Sequence, residues 1–178
     1  MTAVTLQPLN LTWRPYRRPF LTDAQAIAIE ARIDDVLRSW LGTPYLLGSA
    51  AKGKAGGVDC KRFVCSTLDD LYGCVREPVE RIRSDTCLHR PDVVASLVRR
   101  ILRSYEPAIE ITDGSIEPGD VIAVSAQHSG QGHALFVSSK RNLLFHATDR
   151  GVVTSGIAFQ VGTRAHVYRV LDKERWLR

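Results

Sequence analysis

The chain has 178 residues, 44% of them hydrophobic, and a formal net charge of +5. That length fits one domain with an arm and is enough to bury a real core. No stretch approaches the roughly 20 apolar residues of a membrane helix, and the start, Met1-Thr-Ala-Val-Thr-Leu-Gln-Pro8, has no basic region leading into an apolar one. Neither a membrane span nor a secretory signal is therefore expected.

Positive charge falls in three short groups: Arg14, Arg17 and Arg18; Arg99, Arg100 and Arg103; and Lys173, Arg175 and Arg178. None is a long run of like charge, so each reads as a solvated face. A modest basic excess suits an anionic partner, either nucleic acid or an anionic cell wall. The cysteines Cys60, Cys65, Cys74 and Cys87 form no C-x-x-C pair, so no metal site is expected. Without an export signal, no disulfide framework is expected either, and most of these thiols read as free and buried. No glycine-rich phosphate loop is present, because Gly53, Gly56 and Gly57 lack a following Gly-Lys-Ser/Thr, and no cofactor is expected.

In chain order, residues 1–22 read as an arm and 23–178 as one domain. Thr22 or Asp23 caps a helix running to about Trp40, with Ile29, Ile33, Val36, Leu37 and Trp40 on one face. Residues 42–59 form a loop of glycine and small residues. A second helix runs from about Cys60 to Tyr72, stopped by Gly73. A third spans about Pro91 to Ser104, on the stripe Val93, Val94, Leu97, Val98, Ile101 and Leu102. After the turn Glu117-Pro-Gly-Asp120 come five short apolar runs separated by breakers: Val121–Ser125, His133–Ser138, Leu143–Ala147, Gly151–Thr154 and His166–Leu171. They read as strands of an antiparallel sheet. Helices first and strands afterwards predict an α+β fold.

This order sets up a site. The glycine-rich loop delivers Asp59-Cys60 to a helix start, where unpaired N–H groups and the positive end of the dipole favour a thiolate. The same N–H groups can hold an oxyanion. Downstream, His133 and His146 lie thirteen residues apart on consecutive strands. A tight turn between those strands brings the two rings together. Cys60, His133 and a polar third group then form a nucleophile, its base and the group that orients the base. His128 is an alternative base and Asp149 an alternative orienter. Cys65, five residues after Cys60, points elsewhere on the helix and reads as a core thiol, as do Cys74 and Cys87. His89 and His166 read as structural. Asp59 has two readings, a helix cap or a partner for a substrate ammonium.

The run Trp40-Leu-Gly-Thr-Pro-Tyr45 with Gly48 and Asp59-Cys60 resembles the signature of the NlpC-type cell-wall peptidases. So do Pro118-Gly-Asp-Val-Ile122, Gly132-His133, and Phe145-His146-Ala147 followed by Gly151-Val-Val153. The likeness covers roughly residues 30–170. It implies a papain-like fold and a cysteine peptidase acting on peptidoglycan stem peptides, at the bond between the γ-carboxyl of D-glutamate and a diamino acid. It further implies that Cys60, His133 and His146 are the catalytic group, that Tyr45 lines the site, and that Asp59 holds a stem-peptide amine. No cofactor, nucleic acid or membrane enters that picture. The long insert between Gly73 and Glu117 looks most like versions carried by phages and gene-transfer particles. Phage-tail proteins are then possible partners, and a virion or secretion machine would deliver the enzyme to the wall. The departure is Lys61-Arg62, where the family places Ser-Gly after the nucleophile. It opens a second reading, a non-catalytic particle-assembly or wall-binding component that keeps the site shape.

Overall fold

The computed structural model describes residues 6–7, 11–74, 91–105, 107–126, 132–157, 159–160 and 163–177. The expectations placed on Cys87, His89 and His128 lie outside them. In the arm, β1 is Leu6–Gln7 and β2 is Thr12–Trp13, and both are tied down: β1 pairs with β11 (Phe159–Gln160) and β2 runs parallel to β6 (Ser115–Ile116). Helix α1, Asp23–Ser39, begins at a capping box, in which Thr22 and Gln25 satisfy each other's backbone N–H groups. The predicted stripe of Ile29, Ile33, Val36 and Leu37 is buried, with Trp40 at the C-cap buried beside it; Ala26 joins the same face. The glycine-rich loop folds into a short hairpin, β3 (Ala50–Ala51) with β4 (Gly57–Val58). Lys52 in that hairpin reaches away to Asp70, at 2.6 Å, and lies over the Trp40 ring.

Helix α2, Cys60–Tyr72, is buried over most of its length and ends at Gly73 in the left-handed conformation. Helix α3 spans Pro91–Tyr105. The remaining strands are β5 (Ala108–Ile111), β7 (Val121–Ala126), β8 (Gly132–Val137), β9 (Leu143–Thr148), β10 (Gly151–Gly156) and β12 (Thr163–Val170). They form one sheet in the order β10-β9-β8-β7-β12-β5, antiparallel at every pairing. The five expected strands are all present. The sixth, β5, is an edge strand of only four residues behind Pro107, too short for its Ile-Glu-Ile alternation to stand out. The architecture is thus α+β, with three α-helices among the described residues.

Alternation along the strands splits the core in two. Val121, Ala123, Ala134, Phe136, Phe145, Ala147 and Val152 face the helices and join one cluster with Phe63, Val64, Leu68, Val98, Ile101 and Leu102. Ile122, Leu135, Val137, Leu144 and Val167 face the other way and pack with Ile116, Leu11 and Trp13. The arm therefore covers the back of the sheet. Helix α2 lies against β8 and β9, which fixes where its N-terminus points.

The turn Glu117-Pro-Gly-Asp120 anchors the far end of the molecule. Asp120 accepts the Glu117 N–H at 2.9 Å, and its carboxylate meets Arg169 at 2.8 Å and the buried Lys173 at 3.1 Å. Glu117 takes a second arginine, Arg18, at 2.6 Å. Gly119 holds φ at 81°, and a Cβ there would stand 2.7 Å from Trp176, so only glycine lets the C-terminal 3-10 helix, Lys173–Leu177, close over the turn.

Candidate active site

Cys60 is the first residue of α2, and Asp59 is its N-cap. The segment before the helix is pinned to the loop at Tyr45: Val58 N–H donates to Pro44 O at 2.9 Å, and Tyr45 bridges to Val58. Gly57 permits this approach, since a Cβ there would stand 2.4 Å from that of Leu46. Tyr45 is thereby held beside Cys60, on the rim of the same cleft.

The opposite wall comes from a parting of two strands. The β8–β9 ladder pairs Val137 with Leu144 and Phe136 with Phe145, and stops there. Beyond it His133 and His146 face each other across the opening, with Nε2 of His133 and Nδ1 of His146 2.8 Å apart. The rings meet edge to face, with centroids 5.0 Å apart. The hairpin thus brings the two histidines together as their spacing predicts. The N–H of Ala134, on the same open edge, bonds the Cys60 sulfur, as does that of Lys61. The resulting cleft, of about 510 Å³, is lined by Tyr45, Asp59, Cys60, Lys61, His133 and His146, with Thr148 and Asp149 at the β9–β10 turn. The Ala134 donor could not be read from the sequence, because it exists only where a backbone ladder ends.

The electrostatics differ from the expected thiolate. Burial pushes the Cys60 thiol up to about 11, and the neighbouring Asp59 charge adds to this; the Ala134 and Lys61 N–H groups and the Lys61 charge offset only part. Burial and the charge of His146 push His133 down to about 4. His146 is also lowered by burial. At neutral pH the pair therefore rests as thiol and neutral imidazole. The helix N-terminus does not overcome desolvation, because the thiol is only 9% exposed.

Asp59 is 1% exposed and fully engaged. Its Oδ1 accepts the N–H groups of Lys61 and Arg62, at 3.1 and 2.9 Å. Its Oδ2 accepts the Gly48 N–H at 3.0 Å and the Arg62 guanidinium at 2.6 Å. Asp59 is therefore a helix cap and an ion-pair partner at once. Cys65 lies in the core, 3.8 Å from the Tyr105 hydroxyl, as expected, whereas Cys74 is exposed. His166 sits on the surface against Glu110 at 2.6 Å. Among the described residues no cluster of His, Cys, Asp or Glu could hold a metal ion, and no helix is long and apolar enough to cross a membrane.

No family model matches the chain. It is similar to a curated protein of Escherichia coli K12 named probable endopeptidase NlpC, with 24% identity over 135 residues, 75% of this chain and 72% of that protein. That likeness points the same way as the motifs around Cys60, His133 and His146.

Proposed function

We propose that the protein is a cysteine peptidase that hydrolyses peptide bonds in peptidoglycan stem peptides. The observation that carries this reading is the 2.8 Å His133–His146 contact in one cleft with a thiol at a helix start. The likeness to the probable endopeptidase supports it.

In this reading Nε2 of His133 bonds His146, so Nδ1 is the nitrogen left to take the thiol proton. The thiolate attacks the scissile carbonyl and forms a C–S bond. His133 returns the proton to the departing amine as the C–N bond breaks. Water then attacks the thioester, giving its proton to His133, and the thiol is restored with release of the acid. Lys61 and Arg62 N–H groups already serve Asp59. The Cys60 N–H and the Tyr45 hydroxyl are then the donors at hand for the oxyanion. His146 is a positioning residue that fixes the tautomer of its neighbour.

The finer reading places the cut between the γ-carboxyl of D-glutamate and a diamino acid, with delivery to the wall by a phage tail or secretion machine. It rests on the sequence motifs alone. Digestion of purified peptidoglycan, followed by mass spectrometry, tests both levels. Fragments with that new terminus support the finer reading; a different stem-peptide bond supports only the broader one. Intact stems after prolonged incubation would sink both.

One observation favours a second reading. The thiol is buried and held neutral, and Lys61-Arg62 stands beside it. A non-catalytic wall-binding or assembly component would show the same features, and would bind peptidoglycan without cutting it.

A further inference from the structure

The glycine-rich segment before α2 is clamped to that helix at two points. One is close to the thiol, where the Gly48 N–H donates to Asp59 Oδ2 at 3.0 Å. The other is Lys52, whose ammonium lies 2.6 Å from Asp70 Oδ2 and 2.9 Å from Ser39 Oγ, and 4.7 Å from the centre of the Trp40 ring. Trp40 Nε1–H donates to the same Asp70 oxygen at 2.8 Å. At 1.5 Å per residue, Asp59 and Asp70 stand roughly 16 Å apart along α2. Between them the hairpin β3–β4 backs one wall of the cleft. Ala50 pairs with Val58 and Ala51 with Gly57. Val58 N–H also donates to Pro44 O at 2.9 Å, and Val58 O accepts the Leu46 N–H at 3.3 Å, with Tyr45 bridged to the same residue. Tyr45 and Leu47 then line the cleft beside Cys60. The tip of the hairpin, residues 50–56, buries no side chain, and two-residue strands have little stability of their own. Among the described residues, the tip is tied to the body by Lys52 and by the Gly53 N–H, which donates to Thr43 Oγ1 at 3.0 Å.

We propose that Lys52 is a positioning residue of the candidate active site: its clamp on Asp70 holds the wall of Tyr45 and Leu47 against Cys60. The force passes through backbone pairing, from Lys52 to β3, from β3 to Val58, and from Val58 to Pro44–Leu46. Without the clamp, a short exposed ladder and one N–H bond hold the tip, and such ladders open locally at little cost. Two things change when the wall moves out. The Tyr45 hydroxyl leaves the place where an oxyanion forms, and water reaches the Cys60 sulfur. The pair itself adds little to global stability, because both side chains are about a third exposed and screened by water. The oxyanion consequence rests on the peptidase reading; the hold on the thiol does not.

The test reads the thiol and the chemistry separately. Iodoacetamide modification of Cys60 is followed at pH 9 by peptide mass spectrometry. Lys52→Ala and Asp70→Asn, which remove opposite ends of the clamp, should each speed it at least about threefold. Lys52→Arg should stay within about twofold of wild type, since a guanidinium can also pair with Asp70 and stack on Trp40. In hydrolysis of peptidoglycan fragments, Lys52→Ala should lower kcat/KM about tenfold, and that loss should shrink below about twofold in a Tyr45→Phe background. A merely structural pair would lower the melting temperature and leave these rates of the folded protein unchanged. Wild-type alkylation of Cys60 in Lys52→Ala overturns the proposal. So does an active enzyme whose kcat/KM ignores the change, or one whose loss is as large with Tyr45→Phe as without it. Faster alkylation with no hydrolysis by any of these proteins supports the clamp and sinks the peptidase reading, so the two failures are told apart.

Discussion

His133 and His146 share one hydrogen bond, Nε2 to Nδ1 at 2.8 Å, and its direction decides whether His133 can act as a base. If His133 donates, its Nδ1 is bare and can take the thiol proton; if His146 donates, Nδ1 carries a hydrogen and cannot. The first arrangement puts a hydrogen on Nε2 of His146, a buried atom with no partner among the described residues. His146→Ala should therefore lower kcat by about 10–1,000-fold with little change in KM. His146→Asn should recover part of the loss by accepting from Nε2. A KM change of similar size would show that His146 serves substrate binding instead.

The neutral resting pair has a pH signature. With His133 held down to about 4 and Cys60 up to about 11, kcat/KM should form a broad plateau between those limbs. Alkylation of Cys60 by iodoacetamide should be slow at pH 7 and accelerate toward pH 11. A preformed ion pair would instead alkylate fast from weakly acidic pH upward. Stability follows the same logic. His133 titrates near 6.5 when unfolded and near 4 when folded, so the unfolded chain binds more protons between those values. Stability contributed by burying the neutral ring is present above about 6.5 and is lost as pH falls toward 4. Urea titrations of wild type and His133→Gln across this window should diverge on that sign.

Asp59 joins function to folding. Its loss removes a helix cap, worth about 1 kcal/mol. It also leaves Arg62 buried without its carboxylate, a penalty of about 3–5 kcal/mol when one partner of a buried pair is removed. Asp59→Ala should thus cost several kcal/mol. Pairing it with Arg62→Met should recover much of that in a double-mutant cycle, because the stranded charge goes too. Additive losses would show that the pair is not coupled.

The far anchor should behave as pure structure. Asp120→Ala takes one carboxylate from the fully buried Lys173, which keeps the Pro118 carbonyl at 2.6 Å and Glu117 at 3.4 Å, and from Arg169, which keeps Glu117 at 2.9 Å. A loss of about 1–3 kcal/mol is expected, because Glu117 still compensates both cations, with kcat of the folded fraction unchanged. Reduced kcat at full folding would tie the turn to the cleft.

Much of this molecule was legible because its signals are local. Thr22 caps α1, one of the two caps the sequence offers, Gly73 ends α2, and the spacing of His133 and His146 encodes a strand, a turn and a strand. What escaped is set by context. Strand β5 is visible only as a partner for Val167–Val170 of β12. The Ala134 donor depends on where β8 and β9 part. The thiol's protonation follows from burial, which the position of Cys60 at a helix start does not reveal. The filling of Asp59 by Arg62 required knowing that the side chain three residues on folds back rather than out.

The most direct test of the account compares hydrolysis of peptidoglycan fragments by the wild-type protein and by Cys60→Ala, with the intact mass of the wild-type protein recorded after acid quench during turnover. The account predicts that the variant loses at least about 10,000-fold in rate while melting within a few degrees of wild type, and that any adduct on the quenched enzyme equals an acyl fragment held as a thioester on Cys60. Equal rates in the two proteins, or no cutting by either, would contradict it.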